Sequence, residues 1–195
     1  LHGRTFHGLI AQKALGMRIE PDWKLPPLDR TTVDLLRGNR AGHRALALLQ
    51  LGATTAAERE LFASSIDADP KYISAVLALA GKAELPGLSV RVSNANWDQR
   101  HNIAGYDAAM YPLPPWQPSG GFTIDRALVY GFMRQESAFS PGARSRVGAM
   151  GLMQLMPSTA RLVATKYVPD QAGANAWEPA TNIALGQAYI GQLLD

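Results

Sequence analysis

Apolar residues recur at helical spacing through the first eighty positions, in blocks closed by Gly, Pro or Asp. This pattern predicts helices over residues 5–16, 31–37, 41–51, 55–67 and 70–81. Ala45, Leu48 and Leu49 on one helix and Leu61 and Phe62 on the next form facing stripes, as antiparallel hairpins require. Thr55 followed by Glu58 has the spacing of a capping box. No exact repeat is present, yet units of this kind bury a core only against their neighbours, so the block predicts a helical solenoid.

At 111–121 the pattern stops. Tyr111-Pro112-Leu113-Pro114-Pro115-Trp116-Gln117-Pro118-Ser119-Gly120-Gly121 combines residues that enforce extended backbone with two that free it, the composition of a linker. Its Tyr111 and Trp116 have two readings, pinning the crossing against the helical array or stacking on sugar rings. Helical periodicity then resumes. Val129, Phe132, Met133 and Glu136 share one face of a helix that Asp125 is placed to cap and that Ser137, Ser140, Pro141 and Gly142 bring to an end. This spacing sets Glu136 on the core-facing side, where helix meets cleft.

Two glycines, Gly148 and Gly151, follow where backbone must pass close to something else or take positive φ. Leu152-Met153-Gln154-Leu155-Met156 is apolar but for one amide, and Pro157 opens another helix through Ala160 and Val163. Gln154 has two readings, a contact to a carboxyl group and sugar hydroxyls across a cleft, or an internal tie to loop backbone. Met153 and Met156 read as core filler on composition alone.

Glu136 carries the candidate chemistry. It is the only carboxylate between Asp125 and Asp170, so acid-base work in this segment must pass through it. Partial removal from water would favour its protonated form, which a general acid requires. The competing reading is an ordinary glutamate of a last helical turn paired with Arg144 or Arg146. Asp170 and Glu178 are the nearest sources of a second carboxylate; each also fits a solvated loop residue or helix cap.

Glu136-Ser137, Phe139, Pro141, Ser145, Gly148-Ala149, Gly151-Leu152-Met153-Gln154 and Met156-Pro157 stand in the order and spacing of the signature of soluble lytic murein transglycosylases. Asn182-Ile183, Gly186 and Tyr189-Ile190 resemble that domain's next motif, and residues 5–16 and 72–80 resemble the superhelical region that precedes it. The resemblance thus covers nearly the whole chain. It implies a lysozyme-like domain, similar to goose-type lysozyme, that cleaves the β-1,4 bond between N-acetylmuramic acid and N-acetylglucosamine in peptidoglycan. Glu136 matches the catalytic acid and base of that family, and Ser137, Gln154, Met156 and Tyr189 fall where the family lines its sugar groove. It also implies a mechanism with one carboxylate, in which the sugar's own C6 hydroxyl closes onto C1 to leave a 1,6-anhydromuramoyl end. A hydrolytic muramidase and a silent peptidoglycan-binding scaffold are the alternatives.

One departure from the family is visible. The related domain continues into a motif of alanine, tyrosine, asparagine and glycine, whereas this sequence stops at Asp195 with Leu193 and Leu194 still on helical pattern. It therefore reads as a fragment whose continuation would complete the groove and cover Ile190 and Leu193.

Composition narrows the remaining classes. With 195 residues, 47% hydrophobic and 18% charged, the chain can bury a core and is not of the disordered type. A formal charge of +3 is too slight to indicate nucleic acid. From 121 to 168, however, Arg126, Arg134, Arg144, Arg146, Arg161 and Lys166 face only Asp125 and Glu136, which suits an anionic polymer as well as a solvated face. Cysteine is absent and His2, His7, His43 and His101 have no paired-ligand spacing, so neither metal nor cofactor is expected. No apolar run reaches the ~18 residues of a membrane helix. The expectation is an all-α chain: an α-superhelical region over 1–110, the linker 111–121, and a lysozyme-like domain over 122–195, incomplete at its C-terminus. By the resemblance it acts on peptidoglycan glycan strands in the bacterial periplasm.

Overall fold

The computed structural model describes residues 6–18 and 20–194, and among them every regular element is helical. The first block contains α1 (Phe6–Ala14), α2 (Arg30–Gly38), α3 (Arg40–Gln50), α4 (Thr54–Ser65) and α5 (Pro70–Lys82), close to the predicted spans; the predicted start at Thr5 lies outside the described residues. Local chemistry sets the starts. Asp29 accepts from Thr32 N at 2.9 Å to open α2, and Asp69 accepts from Lys71 N at 2.8 Å ahead of Pro70 in α5. Asn39 closes α2 and opens α3 as a single-residue joint, its Oδ1 accepting from Ala41 N and Gly42 N.

Three further helices complete this half: α6 (Pro86–Ala95), a 3-10 segment over Trp97–Asn102, and α7 (Tyr106–Met110). α6 is buried from Pro86 to Val90, and its buried side carries Ser89 and Ser93, so no purely apolar stripe marks it in the sequence. Ser89 and Asn96 are tied internally: Ser89 Oγ donates to Ala109 O at 3.0 Å and Asn96 Nδ2 to Val92 O at 2.9 Å. α3 packs on α4, α2 on α5, and α6 on α5, α4 and α7, around a core of Leu36, Leu61, Ile73, Leu77, Leu88 and Tyr106.

The capping box expected at Thr55 and Glu58 does not form. Ala53 holds the N-cap position of α4 without a side-chain bond, and Glu58 turns toward α6 to accept from Arg91 Nη2 at 2.7 Å. A tertiary ion pair has displaced the local cap. Burial pushes the Glu58 carboxyl above its ordinary value and outweighs the opposing pull of Arg91. A raised carboxyl contributes most to stability below the ordinary glutamate value, and that contribution is lost as pH rises through the raised one. Glu58→Gln should therefore gain in thermal midpoint relative to the wild type between roughly pH 4 and pH 7. A midpoint difference that stays flat or shrinks over this range would mean that Arg91 dominates the site.

The remaining helices are α8 (Arg126–Ser137), α9 (Pro157–Tyr167) and α10 (Pro179–Leu194), with a 3-10 turn at Pro169–Gln171. They enclose a second core of Val129, Met133, Phe139, Leu152, Val163, Ile183 and Leu185, to which Val90 of α6 also belongs. Ile190, expected to need cover, is already buried there, whereas Leu193 is exposed. Between the halves, Tyr111 meets the Trp23 ring edge-on at 6.2 Å and lies under the Arg134 guanidinium at 4.9 Å. Trp116 packs on the second core rather than on the array. No described helix is long and apolar enough to cross a membrane.

Candidate active site

α8 begins as the sequence predicts, with Asp125 Oδ1 accepting from Ala127 N at 2.7 Å. Val129 and Met133 enter the core, but the expectation that Glu136 lies on the core-facing side is overturned: Glu136 is exposed, and so is Phe132. At 100° per residue Glu136 nearly shares the azimuth of Val129, so direction is not the cause. The last turn of α8 simply runs past the edge of the core. Among the described residues Glu136 makes neither hydrogen bond nor ion pair, and Arg144 and Arg146 are exposed without acidic partners. An unpaired carboxylate at the negative end of a helix is left without the cation that usually offsets it.

Directly after it the backbone does something uncommon. Ala138 (φ 47°) and Phe139 (φ 59°) both take the left-handed conformation without being glycine, as does Gln154 (φ 45°). Ala138 N donates to Arg134 O at 3.2 Å and Phe139 N to Met133 O at 3.3 Å, closing α8 as a Schellman-type end. The Phe139 side chain then drops into the core at 2% exposure. Strained residues of this kind, about 1–3 kcal/mol each, persist only where the surroundings hold them, and they gather at functional sites.

The loop that follows is a small pleated knot. Met150 exchanges backbone hydrogen bonds with Leu155 at 3.0 and 3.1 Å, Gly151 N donates to Ala143 O at 2.9 Å, and Ser145 Oγ accepts from Ala149 N at 2.9 Å. Gln154 turns inward with its amide: Nε2 donates to Ala143 O at 3.0 Å and to Gly151 O at 2.9 Å, the internal tie. Its Oε1 accepts no hydrogen bond among the described residues, so one polar atom is left over for a ligand.

Two residues of α10 brace the site, one at this knot and one at the approach to α8, and sequence reasoning did not single them out for the purpose. Asn182, fully buried on α10, accepts from Met153 N at 2.8 Å and donates to Met150 O at 3.2 Å and Ala176 O at 2.8 Å. Gly151, at φ 76°, lies so close to Asn182 that a Cβ there would collide with the amide. Gln187, 3% exposed, accepts from Thr123 N at 3.1 Å and donates to Gly121 O at 2.8 Å, anchoring the approach to α8. Uncharged amides at the start of and inside the apolar run from Ile183 to Ile190 are the signal that could have found both.

The other candidates divide. Ser137, adjoining Glu136, donates from Oγ to Met133 O at 3.0 Å and is half-buried. Met153 is core at 6% exposure, whereas Met156, which composition alone also reads as core, is 38% exposed at the start of α9. Tyr189 is half-buried against the second core. Glu178 accepts from Thr181 N at 2.8 Å and so caps α10, while Asp170 is exposed in the 3-10 turn. A cavity of about 820 Å³ lies on another flank of α8, between Ala127, Tyr130, Gly131 and Arg134 and the array, and none of the five candidate site residues lines it.

Comparison with known proteins bears on the fold and on the family. Residues 117–195 match the family described as Transglycosylase SLT domain. The soluble lytic murein transglycosylase of Salmonella typhimurium is 42% identical over 72 residues, which cover 36% of this chain and 11% of that protein. Among solved structures, the 70 kDa soluble lytic transglycosylase of Escherichia coli superposes with a TM-score of 0.69 at 24% identity, over 96% of this chain and 30% of the other. The inactive mutant of the lytic transglycosylase of Pseudomonas aeruginosa gives 0.71 at 24% identity, over 97% of this chain and 31% of its own. The chain thus spans less than a third of each of these proteins, and the two structural likenesses establish the fold. Over residues 117–195, the chain is thus similar to the Transglycosylase SLT domain and to the soluble lytic murein transglycosylases that share it.

Proposed function

We propose that this protein cleaves the β-1,4 bond between N-acetylmuramic acid and N-acetylglucosamine in peptidoglycan, with Glu136 as sole acid and base. The observation that carries the reading is Glu136 itself: an exposed, unpaired carboxylate, the only one between Asp125 and Asp170, directly ahead of two left-handed non-glycine residues. Glu136 protonates the glycosidic oxygen as the C1–O bond breaks, and the muramoyl N-acetyl oxygen stabilises the charge at C1. The Glu136 carboxylate then takes the proton of the C6 hydroxyl while O6 bonds to C1. No water is consumed and the product ends in 1,6-anhydromuramic acid.

Glu178 is engaged as a helix cap, which supports a mechanism with one carboxylate. Ser137, the free Oε1 of Gln154, Met156 and Tyr189 form the sugar-contacting set, and the exposed Arg144, Arg146 and Arg161 face the carboxylates of the wall polymer. Residues 1–110 form the supporting array, 111–121 its connection and 122–195 the catalytic unit, working in the bacterial periplasm.

Mass spectrometry of digested sacculi tests this reading. Muropeptides should be lighter by one water than hydrolytic products and should lack a reducing end. An oriented C6 hydroxyl outcompetes water because effective molarities reach roughly 10⁵ M or more. Reducing ends carrying solvent oxygen-18 would make the protein a muramidase instead, and strands bound but uncut would make it a scaffold.

A further inference from the structure

The helical array comes up against the turn that follows Glu136 at Gly87. Gly87 is buried in the first turn of α6, where a Cβ would stand 3.2 Å from Phe139 O and 3.3 Å from Ala138 O. These are the two left-handed residues that follow Glu136 and Ser137. Carbonyl oxygens of a fixed turn cannot rotate away as a side chain can, so a Cβ at this distance is tight and the turn must give by a few tenths of an ångström to admit it.

The contact is stiff on both sides. Gly87 O accepts from Arg91 Nε at 3.3 Å, and Arg91 is held by Glu58 of α4 and lies over the Phe62 ring at 5.4 Å. On the α8 side, Arg134 Nε donates to Met110 O at 2.9 Å, tying the last turn of α8 to the end of α7. The turn that ends α8 is therefore clamped between α6 and α7, and its strained φ values are of the kind that persist only under such restraint.

We propose that Gly87 is a positioning residue for the reaction: by abutting Ala138 and Phe139 it fixes the last turn of α8 and hence the carboxyl of Glu136. The proposal rests on Glu136 being the acid-base group. It gives the array a part in the chemistry, through geometry, without any array residue touching substrate.

Gly87→Ala in the full chain is the test. Alanine favours a helix interior over glycine, so a residue that merely filled space in α6 would leave the site unchanged and the helix no weaker. The added methyl instead pushes the turn by a few tenths of an ångström. Hydrogen exchange at the amides of Ala138 and Phe139 should accelerate while that of α5 stays constant. The kcat for strand cleavage should fall about tenfold with KM within about twofold, since misplacement by ~1 Å costs on the order of a hundredfold. Unchanged exchange at both amides, or kcat and KM moving together, overturns the proposal. Arg134→Gln, which frees the same helix end from Met110 without adding an atom at Gly87, should give the same pattern, and decides the matter if the alanine variant does not fold. Glu136→Gln run alongside separates the two readings: if it cleaves as fast as the parent, the assignment of Glu136 fails, while amide exchange still reports whether α6 holds the turn.

Discussion

Glu136→Gln should reduce cleavage of purified glycan strands to background, a loss of at least about a thousandfold, with the fold intact. The amide keeps the length and shape of the side chain but can neither give nor take the proton that both halves of the proposed reaction route through this one group. General acid-base catalysis typically contributes 10² to 10⁴ in rate, and here the same carboxyl acts twice, so the upper end applies. Structure has little to lose. Glu136 is exposed, with no hydrogen bond or ion pair among the described residues, so the variant breaks no contact that holds the fold. Release of soluble muropeptides measures the rate, and circular dichroism with strand co-sedimentation checks fold and binding. A variant that keeps more than roughly a tenth of the rate would take Glu136 out of the mechanism, because no residual acid of the neighbouring sequence could supply it.

How far these properties could be read beforehand depended on how local their causes are. A helix start set by one side chain, such as that at Asp125, needs only the adjacent amide and is legible in this sense. Asp125 and the apolar stripe that follows it were enough to place Glu136 at the end of α8. The axial limit of the core was not legible from periodicity, which fixes azimuth alone, and so Glu136 was assigned to the core-facing side when it stands beyond the core's edge. At Glu58 a local rule lost to a partner thirty-three residues away in Arg91. α6 escaped the pattern because small polar residues, Ser89 and Ser93, stand on its buried side and interrupt the apolar stripe. Of the two readings of Gln154, the internal tie is the one the structure shows, with its amide nitrogen spent on loop backbone. The left-handed conformations of Ala138 and Phe139 left no trace in residue type at all, since neither residue favours them; tertiary restraint imposes them.

Asn182→Ala should cost about 3–5 kcal/mol of stability, the largest loss expected from any single substitution at the site. Two backbone groups depend on this one amide alone. Met153 N would lose its acceptor and Ala176 O its donor, each such orphaned group costing roughly 1–3 kcal/mol, while Met150 O would lose one of two donors and keep Leu155 N. The loop cannot re-pair without leaving α10, because Met150 is already committed to Leu155 through the two bonds that close the knot. In a chain of this size the loss lowers the thermal midpoint by roughly 6–20 °C, at about 2–4 °C per kcal/mol, and shifts the urea midpoint in proportion. Asn182→Asp separates the two functions of the amide. It retains the acceptor for Met153 N, yet sets a carboxylate against the carbonyls of Met150 and Ala176, so it should be no more stable than the alanine variant. Both variants should lose strand cleavage below the melting transition, since Gln154 is carried on the loop that Asn182 holds. A midpoint within about 2 °C of the wild type would show that apolar packing, not this amide, holds the loop against α10.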